Sequence, residues 1–282
     1  MVIPPRRGHE MAGSAAVQAE PDQATGGLVT EVQGNVLLIG LNRTSKRNAL
    51  TPEMFAELSE IYARYDKDDN LRCAVLYGEG AVYCAGADLT RLQELVEDEG
   101  MTYGPDEYDP FGTEGARLSK PLITVVHGMC FAGGLELALA GDMIIAAEGT
   151  FFGQPEVARG LFAFGGGAAR WSDRIGWGNA MRYLLTGDIL DAQEAHRIGL
   201  VQEVVPIERL KERAVELATA VANAAPIGVR HTLTVARKVH DEGLQPALDA
   251  IAPLRTEILG TEDAVEGLAS FKEKRSGNYV GR

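Results

Sequence analysis

Glu136 is the one charge in the run from Met129 to Gly141. A carboxylate in so apolar a stretch is costly to bury without partners, and such groups are candidates for chemistry. It follows Gly133-Gly134 at the start of a short apolar helix, where unpaired N–H groups and the positive end of the helix dipole collect. A plain alternative exists: a first-turn glutamate that stabilises the dipole by ~0.3–1 kcal/mol. Glu156 follows Pro155 in an aromatic, glycine-rich stretch, Gly149 to Leu161. It is either a second working carboxylate or a solvated turn residue. The third place is Ala81-Val-Tyr-Cys-Ala-Gly-Ala-Asp-Leu89. Its small residues let a ligand approach the backbone, and N–H groups at such a bend can face a developing oxyanion. By itself it reads as a simple tight turn.

Other chemistries find no support. There is no GxGxxG after a strand, no Walker sequence and no GxSxG elbow; Gly165-Gly166-Gly167 lacks a strand–helix setting. The five histidines show no ligand spacing, and Cys73, Cys84 and Cys130 offer no zinc site, so no metal is expected. The formal charge of −13 argues against nucleic acid. No apolar run approaches the ~20 residues of a membrane span. The odd cysteine count without CxxC spacing points to a reduced, cytoplasmic compartment. Cys84 reads as a small buried apolar residue.

The elements that position these residues follow from periodicity. Residues 1–26 have no apolar period and are expected to be a disordered tail. Leu28–Val32 and Val36–Leu41 flank Gln33-Gly34-Asn35 as a β-hairpin. Thr51 and Pro52 open a helix that runs to about Tyr65. Short apolar runs at 72–78, 121–127, 142–147 and 200–205 read as buried strands. Helical stretches at 133–140 and 191–197 lie between them, so an α/β domain with largely parallel pairing is expected. After Pro206 only helices are foreseen, at 208–224, 226–242, 244–259 and 262–274. The acidic, Gly- and Pro-containing segment 94–115 is expected to be a mobile loop near the substrate.

In order and spacing, these places resemble the crotonase (enoyl-CoA hydratase/isomerase) superfamily over residues 28–282. Cys84 to Leu89 is similar to the family's first oxyanion motif, and Lys120-Pro121 through Asp142 to its second. The resemblance implies oxyanion N–H groups at Ala87 and Gly133 and catalytic carboxylates at Glu136 and Glu156. It further implies coenzyme A thioester contacts from Ala85, Gly86, Asp88, Leu89 and Gly134, from Arg47, and from Phe271 and Lys274 in the C-terminal Phe-Lys-Glu-Lys-Arg segment. The implied fold is a spiral of ββα repeats (27–205) with the active site, then a helical region (206–282) for oligomer contacts and CoA binding. A homotrimer or a dimer of trimers, and no permanently bound cofactor, go with it.

Having both glutamates favours water addition to a 2-enoyl-CoA. Isomerisation or hydrolysis of an unusual acyl-CoA, or a non-catalytic CoA-binding or assembly role, are the alternatives. Where the hydratases usually carry Pro-Gly, this chain has Ala163-Phe164. Phe162, Phe164 and Trp171 either reshape the acyl pocket or pack in the core.

Overall fold

The computed structural model describes residues 27–91 and 102–282. The expected N-terminal tail and the 94–101 part of the acidic segment lie outside the described residues.

Strands β1 (Leu28–Gln33) and β2 (Val36–Leu41) form the expected hairpin, with Gly34 at φ +59° in its turn. Helix α1 (Pro52–Lys67) follows; Thr51 caps it by accepting the Met54 N–H. Its buried residues Met54, Phe55, Leu58, Ile61, Tyr62 and Tyr65 recur every three or four positions, the stripe a helix needs to cover a sheet. Strand β3 (Cys73–Gly78) leads into the 81–89 bend, and β4 (Leu122–Val126) passes through Gly128 into the short β5 (Met129–Phe131). Helix α2 (Gly133–Ala140) comes next, then β6 (Met143–Ala147) and β7 (Phe151–Gly153). Helices α3 (Gly167–Ile175) and α4 (Trp177–Thr186) precede β8 (Ile189–Asp191), α5 (Ala192–Arg197) and β9 (Glu203–Val205). Five helices close the chain: α6 (Leu210–Ala222), α7 (Pro226–Glu242), α8 (Leu244–Asp249), α9 (Ile251–Leu259) and α10 (Glu262–Glu273).

The strands build two sheets. The larger has the order β1-β2-β3-β4-β6-β9 and is parallel except for β1; the smaller is β5-β7-β8. Successive turns of chain thus place one strand in each sheet, and a bridge between Cys84 and Cys130 extends the smaller sheet to the 81–89 bend.

Both faces of the inner strands β2, β3, β4 and β6 are covered, which is why they read as largely apolar runs. In β2, Leu37, Ile39 and Leu41 enter the main core, while Val36 and Leu38 enter a second one. β3, β4 and β6 divide in the same way. The second core is closed by Leu210, Ala214, Ala218 and Ala222 of α6. The first helix after Pro206 therefore belongs to the packing of the sheet. The stretch expected as one helix over 244–259 is two, meeting at Ala250.

Candidate active site

Two bends meet at the start of α2. The backbone of Ala132 is held at φ 52°, ψ −128°, a region that residues with a Cβ seldom occupy and that tends to be retained at functional sites. Gly86, at φ +107°, packs so closely that a Cβ there would lie 2.9 Å from the Ala132 Cβ and 3.2 Å from the Phe131 oxygen. A Cβ on Gly133 would lie 3.4 Å from the Ala87 nitrogen. Among the described residues, neither the Ala87 nor the Gly133 N–H donates to a protein acceptor. Two free donors on adjoining bends can stabilise charge on one ligand oxygen.

The first bend is held from below. Asn48, fully buried, donates from Nδ2 to the carbonyls of Glu79, Val82 and Tyr83, and its Oδ1 accepts the Arg43 N–H at 2.9 Å. Asp88 pairs with Arg43 at 2.9 Å and accepts from Thr90, so it ties the bend down. Cys84 is buried, its thiol pushed up to about 12 by desolvation, and it accepts the Gly86 N–H. A Cβ on Gly134 would lie 2.6 Å from the Cys84 Cβ, so Gly134 serves the contact between the bends.

Glu136 lies in the first turn of α2 at 3% exposure. Its Oε1 accepts the Gly167 N–H at 3.0 Å. Cβ atoms on Gly165 and Gly167 would each come within 2.9 Å of one of its oxygens, so the carboxyl is wedged between two glycines. Desolvation by burial raises its pKa to about 7; the Gly167 bond acts the other way, and the charge of Glu156 adds to the rise. Glu156 begins a 3₁₀ turn, Glu156–Arg159, that Gly160 ends in the left-handed region. Its Oε1 accepts from Gln154 Nε2 at 2.7 Å, while its buried Oε2 has no partner among the described residues. Burial raises this pKa as well, and the Gln154 bond opposes the shift.

Both glutamates line one cavity of about 230 Å³, together with Ala85, Ala87, Ala132 and Gly133. Its walls are otherwise apolar, formed by Phe55, Phe111, Phe131, Leu161 and Phe164, with Leu89 and Arg159 at the edge. Two carboxyls of raised pKa beside these two N–H donors can move protons to and from carbons next to an oxyanion.

The other expected positions fare differently. Phe164 lines the cavity, but Phe162 is 63% exposed and does not, though the two rings meet edge to face at 6.1 Å. Trp171 is fully buried and packs in the core against Tyr183. Arg47 is exposed, and its contribution is a carbonyl that accepts the Ala85 N–H. Phe271, at 84% exposure, and Lys274, in the left-handed cap of α10, do not line the cavity. Lys120 is buried and donates to the carbonyls of Tyr65 and Asp68.

Sequence reading missed Phe55, Phe111, Gln154 and the two glycines that grip Glu136. A glycine cluster 29–31 positions downstream of a lone buried carboxylate was the available signal.

Known proteins resemble the chain over most of its length. An enoyl-CoA hydratase of Mycobacterium tuberculosis is 33% identical over 95% of this chain and 100% of its own length. The carnitinyl-CoA dehydratase of Proteus mirabilis is 35% identical over 89% of this chain and 97% of its own. A crystal structure of a probable enoyl-CoA hydratase/isomerase from Mycobacterium abscessus superposes with a TM-score of 0.87 at 42% identity, covering 91% of this chain and 99% of that one. The fold is therefore the crotonase-type α/β fold. Residues 31–282 match the sequence profile described as Enoyl-CoA hydratase/isomerase, and the chain belongs to that family.

Proposed function

We propose that the protein adds water to a 2-enoyl-CoA to give a 3-hydroxyacyl-CoA, with Glu136 and Glu156 as the catalytic pair. The observation that carries this reading is that a buried and a half-buried carboxyl, both of raised pKa, line one small apolar cavity next to two N–H groups that have no partner among the described residues. As water adds to the β-carbon, the thioester oxygen gains negative charge. The Ala87 and Gly133 N–H groups stabilise that enolate; one such donor is typically worth ~3–4 kcal/mol. Glu136 orients the water and takes its proton, and Glu156 delivers a proton to the α-carbon. Burial raises both pKa values, and the charge of Glu156 adds to the rise at Glu136, so the two titrate as a coupled pair. Named relatives that hydrate or dehydrate CoA thioesters support the substrate class.

The chain works without a permanently bound cofactor, the CoA thioester entering as substrate. We place it in the cytoplasm as a trimer or dimer of trimers. Exposed Leu244, Leu248, Ile251, Leu259 and Leu268 on the C-terminal helices support self-association. Phe271 and Lys274, away from the cavity lining, would then meet the nucleotide end of CoA.

The direct test is loss of the conjugated thioester's ultraviolet absorbance with crotonyl-CoA and longer enoyl-CoAs, in the wild type and in Glu136→Gln and Glu156→Gln. Both variants should lose most activity. Absence of turnover at every chain length, by protein shown to bind coenzyme A, would overturn the proposal. Incubation in labelled water separates hydration from isomerisation, which adds no oxygen.

A further inference from the structure

Phe111 closes one end of the cavity. It is 3% exposed and meets Phe55 edge-on at 4.9 Å. A Cβ on Gly165 would lie 2.8 Å from its ring and one on Gly133 would lie 3.6 Å from it. The ring therefore bridges from the α2 bend to the segment that grips Glu136. Its neighbours Pro110 and Gly112 line a second cavity of about 580 Å³, as do Gly166 and Arg170. The seam between Phe111 and Gly165 is the wall between the two spaces.

That wall is fastened from behind. Arg170 donates to the carbonyl of Gly112 at 3.0 Å and to that of Gly165 at 3.2 Å, one on each side of the seam. Asp109, 6% exposed, accepts the N–H groups of Phe111 (2.8 Å), Thr113 (2.7 Å) and Glu114 (3.3 Å) and the Thr113 hydroxyl (2.6 Å). This turn fixes the direction of Phe111. Apolar side chains reach the second cavity from Tyr62, Ala116, Leu118 and Leu122, while Arg237 with Asp142, Arg117 with Asp241 and His240 with Asp173 are paired among themselves.

We propose that Phe111 determines acyl-chain length: it confines the site to short acyl thioesters, and shortening it joins the two cavities and admits long ones. The proposal rests on the thioester reading above and names the substrate class within it. A space of about 230 Å³ falls below the roughly 300–1,000 Å³ of sites for drug-sized ligands. It must hold the thioester and whatever chain follows.

The test is calorimetric binding of butanoyl-CoA and decanoyl-CoA, saturated thioesters with no double bond to hydrate, to the wild type, Phe111→Leu and Phe111→Ala. The wild type should bind the two within about threefold. Each methylene buried is worth about fourfold, so burial of two of the six extra methylenes already exceeds tenfold. Phe111→Ala should raise the decanoyl-to-butanoyl affinity ratio at least tenfold, with Phe111→Leu between. Because the ratio is taken on one protein, a general loss of stability cancels, and Phe111→Leu carries the test if the alanine variant does not fold. An unchanged ratio in a variant that still binds butanoyl-CoA overturns the proposal. So does a wild type that already prefers decanoyl-CoA tenfold, or a shift produced by Phe164→Ala instead. Chain-length selective binding without turnover of an enoyl-CoA of any chain length would refute hydration and leave this proposal standing. Failure of folded wild type to bind either thioester would overturn both.

Discussion

Adding a single carbon at Gly167 should disable the site without unfolding the protein. A Cβ there would stand 2.9 Å from Glu136 Oε1, 3.0 Å from its Cγ and 3.1 Å from the Ala163 Cβ. Ordinary contact begins near 3.4 Å, so the carboxyl must retreat by about half an ångström, stretching the 3.0 Å bond it accepts from the Gly167 N–H. Gly167 is the first residue of α3 and does not have a left-handed backbone. Alanine therefore regains roughly 0.5–1 kcal/mol of helix preference, against ~1–3 kcal/mol for overpacking. Net destabilisation should stay below about 2.5 kcal/mol. Misplacing a catalytic group by about 1 Å costs on the order of 100-fold, so Gly167→Ala should lower kcat 10- to 100-fold with a smaller change in KM. The Gly167 bond holds the Glu136 pKa down, so weakening it should also move the pH–rate profile to higher pH. Steady-state hydration of crotonyl-CoA across pH, with thermal melting on the same samples, reads both. A variant with kcat within threefold of wild type and an unmoved profile would refute the clamp.

Glu136→Gln should reverse a stability cost. A folded-state pKa of about 7 against 4.5 unfolded means that the folded protein binds the extra proton between those values, so stability falls as pH rises through that window. The neutral variant escapes this. It should be more stable than wild type at pH 8 by up to about 3 kcal/mol and nearly equal at pH 4, and equal melting temperatures at pH 8 would contradict the burial argument. Gln154→Leu removes the donor that holds Glu156 down; the apparent pKa of the pair should rise in the pH profile, and a fall would count against the assignment. Asn48→Ala strands three carbonyls and leaves alanine at φ 55°. About 3 kcal/mol of stability should go, and a loss under 1 kcal/mol in urea denaturation would show that the bend does not depend on it.

The inner strands of the larger sheet were legible because burial on both faces removes polar residues from them, leaving runs such as Val36–Leu41. The smaller sheet was not. Its strands at 129–131, 151–153 and 189–191 have three residues each, too few to show a period of two. Glu136 announced itself as a charge in an apolar helix. Glu156 did not, because its pocket comes from Phe111 and Phe131, far away in sequence. Phe162 and Phe164 looked alike in sequence, yet Phe162 is 63% exposed and off the cavity while Phe164, 39% exposed, lines it. The inward turn of Phe111 depends on Asp109 accepting four donors, and that a carboxylate will cap its own loop is not written in its spacing.

The close contacts at Gly86, Gly134, Gly165 and Gly167 have a consequence for mutational mapping. At each, an added Cβ would fall within 3.0 Å of another atom. An alanine scan measures what is lost when atoms are removed, and as usually run it passes over glycines. On this protein it would score the glutamates, Asn48 and Phe111 and pass over these four glycines. Much of the site is specified by where no side chain fits, so a scan that enlarges residues, Gly to Ala and Ala to Val, is the one that would outline it.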